Sequence, residues 1–187
     1  MTIKTKKIIK IALEILFPLL IAGVLVLIDQ LSKLHISNNY ELYAERTEII
    51  DGFFGFKYVH NTGSAFSMFA DKEWGQTFFK ILTPIAFVAY LLLYIFVGRK
   101  YKFLPIGIIF TLAGTVGNYI DRLMYNYVID FLSFTFFGWD FAIFNVADVF
   151  LCVGVGMILF HFLFLDKDAV FKFKKKDDVS KEQPTNE

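Results

Sequence analysis

The sequence predicts an α-helical membrane protein: four transmembrane helices carrying a small extracytoplasmic β-sheet and a short interfacial helix. Three observations predict it. The 187-residue chain is 56% hydrophobic and holds 24 phenylalanines. Its mean hydropathy of +0.54 is too high for a soluble domain of this size. Four apolar stretches, about residues 11–34, 78–97, 103–124 and 141–165, approach the ~20 residues that a bilayer crossing needs. The cations, finally, gather in the segments that four crossings would put on one side.

Each element follows in order. Lys4, Lys6, Lys7 and Lys10 precede the first span, as in the basic region of a signal peptide. The apolar run is too long for such a peptide and no small-residue cleavage site follows, so this helix is expected to be retained as an anchor. Arg99, Lys100 and Lys102 lie between the second and third spans. Lys167, Lys172, Lys174, Lys175, Lys176 and Lys181 follow the fourth, whereas residues 126–140 contain no cation. Both termini are therefore expected in the cytoplasm, and the two long connections outside. Residues 166–187 are polar and expected to be a disordered tail.

The first outer connection, residues 35–77, is too long for a simple loop. Glu48 to Gly52 reads as a strand entering a turn, and residues 53–68 are rich in aromatic and β-branched residues. A small sheet is expected there, its phenylalanines facing headgroups or covering a site. Residues 71–74 suggest a short interfacial helix with Trp74 at headgroup depth. The second outer connection, Tyr125 to Asp140, is expected to be an aromatic loop folded back on the bundle. Formal net charge is +1, which names no partner, and no nucleic acid is expected. Cys152, the sole cysteine, excludes an internal disulfide and reads as a small packed thiol.

Four aspartates carry the functional argument, because a carboxylate near hydrocarbon is costly and rare without a task. Asp29 has Lys33 four residues on, and Asp121 has Arg122 beside it; Asp130 and Asp148 have no local cation. Two such carboxylates at one membrane depth suggest a pair sharing a proton. Each position also has a plainer reading. Asp29 and Lys33 suit an interfacial helix end with a snorkelling lysine. Asn61 and Gly63 suit either an ordinary hairpin turn or a close approach by a ligand. Gly114 and Gly117 leave a smooth face for a neighbouring helix. Asn118, Asp121 and Arg122 share roughly one helical face, which fits substrate contact or an interhelical network. Asn145 suits the cap of the fourth helix, with Asp148 in its first turn. His35, His60 and His161 lack metal-ligand spacing, so no metal or other cofactor is expected.

Five segments in this order resemble lipoprotein signal peptidase (signal peptidase II), an aspartic protease family of bacterial inner membranes. They are Asp29-Gln-Leu-Ser-Lys33, Asn61-Thr-Gly-Ser-Ala-Phe66, Gly117-Asn-Tyr-Ile-Asp-Arg122, Val128-Ile-Asp-Phe131 and Phe144-Asn-Val-Ala-Asp148. The resemblance implies an aspartic endopeptidase that cuts prolipoproteins just before a cysteine bearing diacylglycerol. It implies Asp130 and Asp148 as the catalytic pair, the pair that the charge argument selects. It makes Asn61, Gly63, Asn118, Arg122 and Asn145 substrate-binding or site-supporting, and Asp29, Lys33 and Asp121 structural. The implied partners are the prolipoprotein and membrane lipids, with the protein acting as a monomer and the site at the outer leaflet. One departure is Ala113-Gly-Thr115, where the family commonly reads Gly-Gly-Ala. A presenilin-type protease would need a Gly-x-Gly-Asp motif inside a span, absent here. A carboxylate relay through a transporter would need acids spread through the membrane depth.

Overall fold

A computed structural model describes residues 2–63, 74–97, 100–101 and 103–166. Four helices and four strands follow in chain order: α1 (Ile3–Asn39), β1 (Thr47–Ile50), β2 (Phe54–Asn61), α2 (Gly75–Phe96), α3 (Leu104–Tyr125), β3 (Val128–Phe136), β4 (Trp139–Asp140) and α4 (Val146–Phe160). A π-helical turn, His161–Leu165, extends α4. All four helices are long and apolar enough to cross a membrane, α1 through its Leu16–Asn39 part and α4 together with its π-helical turn, Val146–Leu165. Their outward faces carry exposed apolar side chains, among them Leu20, Leu27, Ile81, Ile85 and Leu159. Such a surface is stable only against lipid.

The central helix is α3, which packs on all three others. Its contacts with α4 and α1 depend on glycine. A Cβ at Gly114 would overlap the Ala147 carbonyl, and one at Gly117 would lie 2.5 Å from the Asp29 carboxylate. Asn126 ends α3 in the left-handed conformation (φ 62°), which asparagine tolerates better than most residues. Near the opposite end of the bundle, Leu104, Ile108 and Ile158 form one buried cluster with Tyr90, Leu93 and Tyr94 against it.

One antiparallel sheet in the order β1-β2-β3-β4 covers the other end. Its core is Ile36 of α1 with Tyr58, Ile129 and Phe131. The second outer connection is therefore not the loop expected from sequence: it supplies β3, paired with β2 through Val59↔Asp130, His60↔Ile129 and Asn61↔Val128. A two-residue turn at Phe137 and Gly138, both with positive φ, then returns the chain as β4. The expected fourth span also begins too early. Residues 141–145 run beside β3, where Phe144 and Leu132 exchange backbone hydrogen bonds of 2.8 and 3.2 Å. Helix α4 starts only at Val146. Cys152 is exposed on α4 rather than packed; in lipid an apolar position need not be a buried one. The proposed interfacial helix before Trp74, Phe66, Phe69 and the tail after Asp166 lie outside the described residues.

Candidate active site

The sheet end of the bundle gathers the four aspartates with Lys33, Asn61, Asn118, Arg122 and Asn145. Asn145 caps α4: its side-chain oxygen accepts the Asp148 N–H at 3.0 Å, while Asp148 Oδ2 accepts the Asn145 N–H at 3.1 Å. This reciprocal capping box satisfies two backbone donors that a helix start leaves free. The cap also fixes a functional group. Asn145 Nδ2 points away from the helix and donates to Asp130 Oδ1 at 2.7 Å. One asparagine thus touches both Asp130 and Asp148. The Leu132–Phe144 bridge brings the strand and the helix start together.

Asp130 is 2% exposed. On β2, Asn61 stands diagonally across the strand pair from it. Asn61 Nδ2 donates to Asp130 Oδ2 at 2.8 Å, and Asn61 Oδ1 accepts the Gly63 N–H at 2.9 Å. Asp148 Oδ1 accepts from Asn118 Nδ2 at 2.7 Å. Burial, and then the neighbouring charge of Asp148, push the Asp130 carboxyl up to about 7. Asparagine donors oppose that shift by favouring the charged form.

Beneath the pair lies a fully buried charged group. Lys33 Nζ lies 2.9 Å from both Asp29 Oδ2 and Asp121 Oδ2. All three are at most 2% exposed. The cation of Asp121 is therefore Lys33, not Arg122. Consecutive helical residues point about 100° apart, so Arg122 turns elsewhere. Its guanidinium stacks over Phe79 at 4.9 Å from the ring centre and reaches the Gly63 carbonyl at 3.4 Å. Asp29 Oδ1 accepts the Ala147 N–H at 2.8 Å, and Asp121 Oδ2 accepts the Ile129 N–H at 3.1 Å. The triad thereby fixes the start of α4 and the start of β3, the two elements that carry Asp148 and Asp130. Asn118 joins the layers, since its Oδ1 accepts from Lys33 and from Asn145, each at 3.0 Å.

Sequence reasoning passed over Gln30. Its amide nitrogen contacts Asp29 Oδ2, the Gly117 carbonyl and Asp121 Oδ1 at 3.0–3.1 Å. The available signal was a glutamine inside an apolar span, where any polar group must find a partner. An apolar cavity of about 250 Å³ opens between α2 and α3, lined by Thr83, Pro84, Phe87, Thr115, Val116 and Tyr119. Two of its lining residues, Thr115 and Tyr119, lie within one helical turn of Asn118 on α3. Among the described residues, no three His, Cys, Asp or Glu side chains converge as metal ligands would.

The sequence pattern of the family Signal peptidase (SPase) II matches residues 21–164. A lipoprotein signal peptidase of Symbiobacterium thermophilum is 37% identical over 150 residues, covering 80% of this chain and 95% of the relative. One from Neisseria gonorrhoeae is 35% identical over 144 residues, covering 77% and 87%. A bacterial membrane enzyme structure obtained by the in meso method at 2.3 Å resolution superposes with a TM-score of 0.73 at 30% identity, covering 92% of this chain and 94% of the other. A second, at 1.9 Å, gives 0.71 at 34% identity, covering 80% and 94%. Fold, motif order and overall similarity agree, and the chain belongs to the signal peptidase II family.

Proposed function

We propose that this protein removes signal peptides from prolipoproteins with Asp130 and Asp148 as its catalytic pair. The observation that carries the reading is the shared Asn145, which bonds to both carboxyl groups. We assign the shared proton to Asp130, whose carboxyl is pushed up to about 7, and the role of general base to Asp148. Asp148 takes a proton from a water as that water's oxygen attacks the scissile carbonyl carbon. Asp130 gives its proton to the carbonyl oxygen, so the tetrahedral intermediate forms without a free oxyanion. The C–N bond then breaks, the leaving amine takes the proton held by Asp148, and Asp130 recovers its own from the collapsing hydroxyl.

Asn61, Asn118 and Asn145 hold the carboxyl groups in place, and Gly63 and Arg122 border the approach to them. Asp29, Lys33 and Asp121 are structural. The substrate is a precursor whose cysteine already carries diacylglycerol, cut on the N-terminal side of that cysteine. The basic segments support a topology with both termini in the cytoplasm and the aspartates at the outer leaflet of a bacterial inner membrane. There the protein works as a monomer among lipids. The apolar cavity beside Asn118 supports a lipid-bearing substrate.

Purified protein incubated with a diacylglyceryl-modified prolipoprotein tests the reading. The expected product is a shortened chain whose N-terminal residue, by mass spectrometry, is the lipidated cysteine. Cleavage at another bond, or equal cleavage of an unmodified precursor, contradicts it.

A further inference from the structure

Two buried polar atoms beside the aspartates have no hydrogen-bond partner among the described residues: Gln76 Oε1 and Arg122 Nε. Gln76 is the second residue of α2, and its Nε2 donates to the Thr62 carbonyl. A carbonyl only accepts, so the amide nitrogen must face Thr62 and Oε1 must face away. Arg122 uses Nη2 on the Gly63 carbonyl at 3.4 Å and Nη1 on the Asn118 carbonyl at 3.3 Å, which leaves its Nε–H. Phe79, under the Arg122 guanidinium, is three residues after Gln76 and on the same face of α2. The two side chains therefore border one stretch, Thr62–Gly63. That stretch directly follows Asn61, the residue bonded to Asp130.

Buried polar groups are rarely left unpaired, and those that are call for an explanation. Here one is an acceptor and the other a donor. A carboxylate ligand would meet repulsion at Gln76 Oε1, and an ammonium ligand would meet it at Arg122. A peptide main chain offers both complements, an N–H and a C=O. We propose that Gln76 Oε1 and Arg122 Nε form a main-chain docking pair, in which Gln76 accepts a substrate backbone N–H and Arg122 donates to a substrate backbone carbonyl. The proposal rests on the peptidase reading and adds to it a subsite that reads extended backbone near the scissile bond, whatever the side chains. Gln76 is then a substrate-binding residue that touches no reacting atom.

Backbone esters test it, because each replaces a single N–H by oxygen. A series of diacylglyceryl precursor peptides, with one ester at each position around the cleavage site, is assayed with wild type and with Gln76→Met. In wild type one ester position should raise KM about tenfold, with kcat changed much less. Gln76→Met should raise KM for the all-amide peptide by a similar factor and show no further penalty at that position. If every ester is penalised equally in the two enzymes, or if wild type tolerates all of them, the docking pair does not exist. The second outcome is decisive even if Gln76→Met fails to fold. Failure of wild type to cut the all-amide peptide would instead remove the peptidase reading, and the docking pair with it.

Discussion

Replacing Lys33 by methionine should damage the fold more than any other single change in the polar cluster. Lys33 lies 2.9 Å from both Asp29 and Asp121, at 2% exposure. Methionine fills a similar volume but leaves two carboxylates facing each other without a cation. Breaking a buried pair by removing one partner costs about 3–5 kcal/mol. For a chain of this size that is a fall in Tm of about 10 °C. Asp121→Asn should cost less, about 1–3 kcal/mol, because the Asp29–Lys33 pair survives it. In the double mutant Lys33→Met/Asp121→Asn the losses should not add: a coupling of about 1–3 kcal/mol is expected between groups in direct contact. The parallel cycle of Asp121 with Arg122 should give a smaller coupling, since Arg122 bonds to the Gly63 and Asn118 carbonyls instead. Thermal unfolding of the six proteins in detergent, followed by tryptophan fluorescence, measures both cycles. A larger coupling for Asp121 with Arg122 than with Lys33 would refute the ion-pair assignment and restore the pairing that chain adjacency suggests.

Three further outcomes are expected. Catalysis should fall as pH rises through about 7, the value to which the Asp130 carboxyl is pushed, because the protonated acid is lost. The sign for stability is the same: a raised carboxyl value means the native state holds its proton more tightly. That contribution is full below the ordinary 3.8 and is lost as pH climbs to about 7. Tm should therefore drift down over this window in wild type and less in Asp130→Asn; an identical drift in both contradicts the assignment. Activity should survive EDTA, and inactivation reversed by added zinc would point to a metal mechanism. In a Cys152→Ser background, cysteines at Asn39 or Asn126 should react with an impermeant thiol reagent on intact spheroplasts, while one at Lys100 stays protected. Labelling at Lys100 from outside would invert the topology.

The membrane fold was legible because hydrocarbon imposes a length and a composition on each helix, and nothing else in the chain meets both. The aspartates stood out for a related reason, since charge is expensive at that depth. What sequence left hidden is non-local. The alternation of Leu, Ser, Phe, Thr and Phe at 132–136 is a strand signal, yet a strand's identity depends on its partner, and β2 lies beyond two helices in the chain. Asp121 and Arg122 look like a pair in a line of letters, but neighbours on a helix diverge. The true partner of Asp121 comes from α1. Gln30 and Gln76 were hidden because an amide carries no charge to advertise its cost. Asn145 had two competing readings, cap or site residue, and its two ends serve both.

The central claim is that Asp130 and Asp148 act as one unit, and single-turnover cleavage rates of Asp130→Asn, Asp148→Asn and the double mutant test it most directly. Each single mutant, folded as judged by its thermal transition, should lose at least about three orders of magnitude, and the double mutant should be no slower than the worse single. Losses that multiply in the double mutant, or near-normal turnover by either single mutant, would contradict the claim.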